Sequence, residues 1–157
     1  VGGSEESFVN MMNRRAQELM ANGTHFMNPH GLHDDNHYTT AYDLYLIFNE
    51  CIKHEDFVNI IQSEAYTAHY TDVDGNSQEA LFTPTNLYAQ GEVDVPENVT
   101  IVGGKTGTTD EAGYCLILME KDSSDNPYIS IVMGASEKPV LYEDMTSLIE
   151  AIPSGQQ

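Results

Sequence analysis

TIVGGKTGTTDEAGYCLILMEKDSSDNPYISIVMGAS, Thr100–Ser136, decides the fold. TIVGGK, YCLILMEK and YISIVMGAS are short runs rich in β-branched and aromatic residues, which read as three strands. DSSDNP joins the last two, and its Asp, Ser, Asn and Pro are turn chemistry. The first run ends at an unusual place. Lys105 stands between Gly103-Gly104 and Thr106-Gly107, in a chain with only six basic residues. The other lysines and the two arginines lie in ordinary polar surroundings.

Working back along the chain, the period-2 pattern recurs once. AYTAHYT and SQEALFT flank DVDGN, which predicts a β-hairpin. Before it the period is helical. Ser4 to Asn22 carries Phe8, Met11, Met12, Ala16, Leu19 and Met20 at helical spacing, predicting a core-facing helix capped by Ser4 and stopped by Gly23. THFMNPHGLHDDNHY, Thr24–Tyr38, reads as an irregular loop. Thr40 with Asp43 opens a second helix whose buried stripe is Leu44, Ile47, Phe48, Cys51 and Ile52, and a shorter helix follows around Phe57, Ile60 and Ile61. Pro84 to Asn98 reads as loop, and Tyr142 to Ile152 as a closing amphipathic helix. Helices, an antiparallel sheet and a last helix make an α+β arrangement with helices packed on the sheet. Three strands and a separate hairpin are thin for that many helices, so further strands are expected.

At 157 residues the chain is long enough for one domain with a sizeable core. Its 25 acidic residues against 6 basic ones, net −19, repel nucleic acid and anionic membranes, and no basic patch offsets this. No apolar run is long enough to cross a bilayer, and no signal peptide is visible. The start at Val1, without methionine, suggests a piece of something longer. Cys51 and Cys115 fit no metal motif and read as two small buried apolar side chains.

Three readings of Lys105 compete. A phosphate loop fails, because Val99 stands where its first glycine belongs and Gly107 opposes the helix that must follow. An exposed strand-edge lysine with turn residues nearby is the plain alternative. The third is the K-T-G triplet of penicillin-recognising serine enzymes. There a strand-borne ammonium and a neighbouring hydroxyl make charge-assisted hydrogen bonds to a substrate carboxylate, worth ~1.5–3 kcal/mol each. The glycine lets an extended peptide lie alongside. The next backbone N–H can face the carbonyl oxygen under attack, a contribution of ~3 kcal/mol.

The triplet does not stand alone. T-H-F-x-N-P-H-G-L at Thr24–Leu32, Asn86-Leu87, and K-T-G followed by A-G-Y-C-L at Ala112–Leu116 occur in order. With these motifs the chain, from about Phe8 to Ile152, resembles the serine-type D-alanyl-D-alanine carboxypeptidases, the low-molecular-weight penicillin-binding proteins. The resemblance implies part of a β-lactamase/transpeptidase-like fold. It also implies that Lys105 and Thr106 bind the terminal D-alanine carboxylate, that Gly107 leaves room for the peptide, and that the Thr108 backbone N–H is an oxyanion donor. His30 and Leu32 would lie in a loop near the site. It implies no cofactor, peptidoglycan stem peptides and β-lactams as partners of the complete enzyme, and a location outside the cytoplasm.

Two family motifs do not fit. No serine stands three residues before any lysine, so S-x-x-K is missing. Ser124-Asp125-Asn126 matches S-x-N but falls after K-T-G and inside a hairpin turn, so it reads as turn chemistry. In the family, the segment resembling Val1–Met20 follows S-x-N directly. Residues 1–157 are thus expected to be one truncated catalytic domain, inactive alone, with an apolar surface open to self-association or strand exchange. The contrasting readings are a non-catalytic acidic binding or assembly module, and a metal site built from His25, His30, His33 and His37 with Asp34 and Asp35.

Overall fold

In the computed structural model, residues 1–153 are described. Helix α1, Glu5–Glu18, begins as expected: Ser4 Oγ accepts from Ser7 N at 3.1 Å. It ends five residues before Gly23. Met20 takes the left-handed position (φ 63°), with Ala21 N donating to Ala16 O at 2.9 Å and Met20 N to Gln17 O at 3.0 Å, a Schellman closure without glycine. Gly23 serves packing instead: a Cβ there would stand 3.0 Å from Thr40 Cγ2 and 3.1 Å from Asp43 Oδ2. The expected core stripe of α1 is also thinner. Only Ala16 is buried; Phe8, Met12 and Leu19 are half-buried, and Met11 and Met20 are exposed.

The segment 24–38 is irregular apart from one bridge, His25 to Tyr38. Helix α2, Ala41–Cys51, is capped by Thr40, whose Oγ1 accepts from Asp43 N at 3.1 Å, while the buried Asp43 carboxylate accepts from Thr24 Oγ1 at 2.8 Å. Phe48 is the buried centre of its stripe and meets Phe57 of α3, Glu55–Ile61, edge to face. Both cysteines are free and half-buried rather than fully buried.

The predicted hairpin is present as β1, Tyr66–Thr71, and β2, Ser77–Phe82, paired antiparallel with Tyr66 opposite Phe82. Asp72 Oδ1 accepts from Asp74 N and Asn76 N, and Gly75 (φ 86°) completes the turn. The expected loop after it contains a short helix, α4, Leu87–Gln90, capped by Asn86.

The main sheet is β3, Val99–Thr109, β4, Gly113–Asp122, and β5, Pro127–Ala135, antiparallel in the order β3-β4-β5. β3 runs past Lys105, the end of the predicted strand, through the whole K-T-G triplet. A register shift between Ile101 and Gly103 marks a bulge before the triplet. Helix α5, Lys138–Glu150, starts one turn earlier than predicted, with Pro139 in its first turn, where a missing N–H costs nothing. α5 covers one face of the sheet. Leu116 and Leu118 on β4 meet Leu141, Tyr142, Met145 and Ile149, all buried, with Tyr88 and Val99 closing the core. Helices α2 and α3 lie against β5 and β3 respectively. The architecture is α+β, as expected. Among the described residues no strand lies beyond β3 or β5.

Candidate functional site

Among the described residues both outer strands of the sheet have one edge without a strand partner, and β3 carries the triplet on its own. Opposite residues are Lys105 and Ile117, Thr106 and Leu116, Gly107 and Cys115, Thr108 and Tyr114. Successive side chains of a strand leave opposite faces, so Lys105 and Gly107 share one face and Thr106 and Thr108 the other. A ligand that touches both Lys105 and Thr106 therefore has to lie along the strand's open edge. The Thr106 hydroxyl is 2.5 Å from that of Thr85, which ties the triplet to the segment entering α4, and Lys105 Nζ donates to the Thr106 carbonyl.

The three glycines around Lys105 have different reasons to be there. A Cβ on Gly103 would fall 2.1 Å from the Ile61 carbonyl oxygen at the end of α3. One on Gly104 would fall 2.1 Å from Ile117 O and 2.8 Å from Leu118 Cδ2. These two are required by packing. Around Gly107 nothing lies within 4 Å of the position a Cβ would take, and its φ is not in the left-handed range. The fold does not need a glycine at 107.

Lys105 lines a groove of about 630 Å³, bounded by Ile60, Ile61, Tyr66, Phe82, Pro84, Thr85, Asn86, Ala89 and Gly104 among others. Lys105 is the only charged residue on that lining. A second depression of about the same volume lies over α5, where Lys138 and Glu143 both border it. Only the first groove presents a cation without an acidic residue on the same wall.

The other candidates fall elsewhere. Ser124-Asp125-Asn126 is turn structure: Asp122 Oδ1 accepts from Ser124 N at 2.8 Å and Asn126 N at 2.9 Å, and Asp125 is left-handed (φ 65°) and paired with Lys121. It follows the end of β4, roughly 17 Å along the strand from Lys105's partner Ile117. His30 contacts Glu5 at 3.7 Å and does not line the groove; Leu32 is exposed, its carbonyl held by Asn28. The loop's approach to β3 is through His33, 4.0 Å from Glu111 in the β3–β4 turn.

The four loop histidines do not converge as ligands. His25 Nδ1 bonds to Asn36 O at 2.7 Å, His37 Nδ1 accepts from Met27 N at 3.1 Å, His30 Nδ1 accepts from Leu32 N at 3.2 Å, and His33 pairs with Asp35. Among the described residues no three His, Cys, Asp or Glu side chains come together in a way that could hold a metal ion. Burial lowers the His37 pKa.

Sequence reasoning missed Thr85 as the partner of Thr106, and it missed Tyr66 and Phe82 as groove wall. It also missed Glu120. This carboxyl points into the α5 core with no exposure, and neither oxygen has a well-formed hydrogen bond. Burial pushes its pKa up to about 7, and the neighbouring Ser130 opposes that only in part.

The fold is that of the DD-peptidases. It superposes on a crystal structure of a Streptomyces DD-transpeptidase with a TM-score of 0.81 at 26% identity, covering 92% of this chain and 53% of that one. The chain belongs to the D-alanyl-D-alanine carboxypeptidase family, whose sequence profile matches residues 1–137. Relatives include the D-alanyl-D-alanine carboxypeptidases DacF of Bacillus subtilis, 31% identical over 96% of this chain and 36% of its own length, and DacC of Escherichia coli, 29% identical over 95% and 34%. The chain thus spans about a third of the length of these relatives and about half of the matched structure.

Proposed function

We propose that this chain is the carboxylate-recognising part of a serine-type D-Ala-D-Ala carboxypeptidase catalytic domain, one that removes the terminal D-alanine of peptidoglycan stem peptides through an acyl-enzyme. Lys105 and Thr106 hold the terminal carboxylate along the open edge of β3. Gly107 leaves space for the peptide, and the Thr108 N–H faces the carbonyl oxygen. The observation that carries this is Gly107: its surroundings are empty and its backbone is ordinary, so a ligand gives a reason for glycine that packing does not.

Nucleophile and base are not among these residues, since no serine precedes a lysine by three positions. The chain alone therefore binds without cleaving. Residues 1–157 act as one part of a single catalytic domain, whose complete form works on the cell envelope side of the membrane and reacts with β-lactams. Among the described residues no helix is long and apolar enough to cross a membrane.

The test is a two-dimensional NMR titration of the chain with N-acetyl-D-Ala-D-Ala. Shifts concentrated at residues 104–108 that disappear in Lys105→Ala support the assignment; shifts indifferent to that substitution remove Lys105 from the site. No mass gain is expected after incubation with benzylpenicillin, and a stable adduct would show that an unassigned nucleophile reacts.

A second reading rests on β5. YISIVMGA carries no charge, and no strand pairs with its outer edge among the described residues. Such an edge is a template for another strand, and self-association of the chain through it is expected at high concentration.

A further inference from the structure

Thr85 reaches the triplet from outside the sheet. It stands 21 positions before Thr106, on the segment that enters α4, and its hydroxyl meets that of Thr106 at 2.5 Å. The backbone is held on both sides of it. Just before it, Pro84 O accepts from Gln90 Nε2 at 2.6 Å. Just after it, Asn86 Oδ1 accepts from Tyr88 N at 3.1 Å and Leu87 N donates to the Tyr142 hydroxyl at 2.9 Å. The Tyr88 hydroxyl lies 2.7 Å from Thr146 Oγ1. These bonds pin α4 to α5, and Thr85 with it. On a fixed backbone a β-branched side chain has few χ1 choices, so the Thr85 hydroxyl is held in place before any ligand arrives. The residue itself is exposed, and filling the core does not explain it.

Proton counting sets the direction of the contact. A hydroxyl has one hydrogen to give. Thr106 can give its hydrogen to a carboxylate only if it accepts, rather than donates, in the bond with Thr85. An oxygen that accepts one hydrogen bond is also polarised into a better donor for the next. Lys105 Nζ does not compete for this place, because it donates to the Thr106 carbonyl. We propose that Thr85 is a positioning residue for the terminal carboxylate: it donates to Thr106 Oγ1, fixes that rotor, and leaves the single Thr106 hydrogen for the ligand. This rests on the carboxylate assignment of Lys105 and Thr106 and extends it to a group that acts through Thr106. A water molecule could make the same bond, but it would have to be immobilised at the site, whereas Thr85 is already ordered by α4.

A double-substitution cycle, read by the same NMR titration with N-acetyl-D-Ala-D-Ala, tests the assignment. Thr85→Val keeps the shape and removes the hydroxyl, and is expected to weaken binding about three- to tenfold. Thr85→Ser restores a donor and should bind within about twofold of the unsubstituted chain. In a Thr106→Val chain there is no hydroxyl left to orient, so adding Thr85→Val should cost nothing more. Thermal melts check that each variant keeps its fold. Binding unchanged by Thr85→Val overturns the proposal. An equal loss in the Thr106→Val background also overturns it, since Thr85 would then act on the groove as a whole. If Thr85→Val is silent while Lys105→Ala still abolishes binding, the carboxylate assignment stands and only the role of Thr85 falls. If no binding depends on Lys105, both are wrong.

Discussion

The two outer strands of the sheet have opposite characters. β3 offers glycines, threonines and one ammonium along its free edge, and a groove opens beside it. β5 offers tyrosine, isoleucine, valine and methionine without a single charge. Edge strands usually protect themselves with charge, bulges or proline. β3 has a bulge and a lysine; β5 has a proline at its first residue and a bulge at left-handed Gly134 (φ 73°), but no charge. The difference teaches that the two edges differ in charge rather than in regularity: one carries a cation beside a groove, and the other is bare of charge along its whole length.

The largest effects should come from breaking the β3 edge from behind. Gly104→Ala forces a methyl into the Ile117 carbonyl and is expected to cost about 3 kcal/mol or more, seen as a fall in Tm or loss of a folded NMR spectrum. Gly107→Ala has room on every side and should change stability by less than about 0.5 kcal/mol while weakening dipeptide binding several-fold. If Gly107→Ala binds the dipeptide as well as before, the ligand explanation of that glycine fails.

Glu120 on β4, which joins the two edges, gives the next effect. Its folded pKa of about 7 lies above the ordinary 4.5, so the folded state binds the proton more tightly than the unfolded chain does. The contribution of Glu120 to stability is then fully present below about pH 4.5, falls as pH rises from there to about 7, and is lower by on the order of 3 kcal/mol above that. Glu120→Gln should flatten this slope and raise the midpoint of urea unfolding at pH 8 more than at pH 5. A slope that survives the substitution would move its origin elsewhere.

Lys105→Ala, placed in the complete enzyme, removes a charge-assisted bond worth about 1.5–3 kcal/mol, so kcat/KM for D-Ala-D-Ala peptides should drop about 10- to 100-fold. Unchanged kinetics would leave β3 as an ordinary edge. The smallest change is on the other side: Met133→Lys adds a charge to β5 at an exposed position and should abolish concentration-dependent sedimentation. A chain that stays monomeric at high concentration without the substitution would show that the bare edge is not sticky.

How much of this could be read in the residues depends on how local the cause is. The hairpin, the three strands and the Ser4 and Thr40 caps follow from period and from groups a few residues apart, and all are present. Lys105 was conspicuous because its neighbours were small. Helix α4 was hidden, since four residues carry little periodicity. It is held from 55 residues away by Tyr142, whose hydroxyl accepts from Leu87 N at 2.9 Å and whose ring meets Tyr88 edge to face. The groove wall was hidden for the same reason: α3, the hairpin and β3 are brought together only by packing. Pro139 masked the start of α5, because a proline reads as a break unless the first turn is already known. Gly23 misled in the other direction, marking a close approach to α2 rather than the end of α1.

Met20 has a practical use. An L-residue in the left-handed region carries a cost of about 1 kcal/mol that glycine does not, and this side chain is 68% exposed and remote from the groove lining. Met20→Gly should therefore give a hardier parent molecule, on which damaging groove substitutions can be made and still be studied as folded protein.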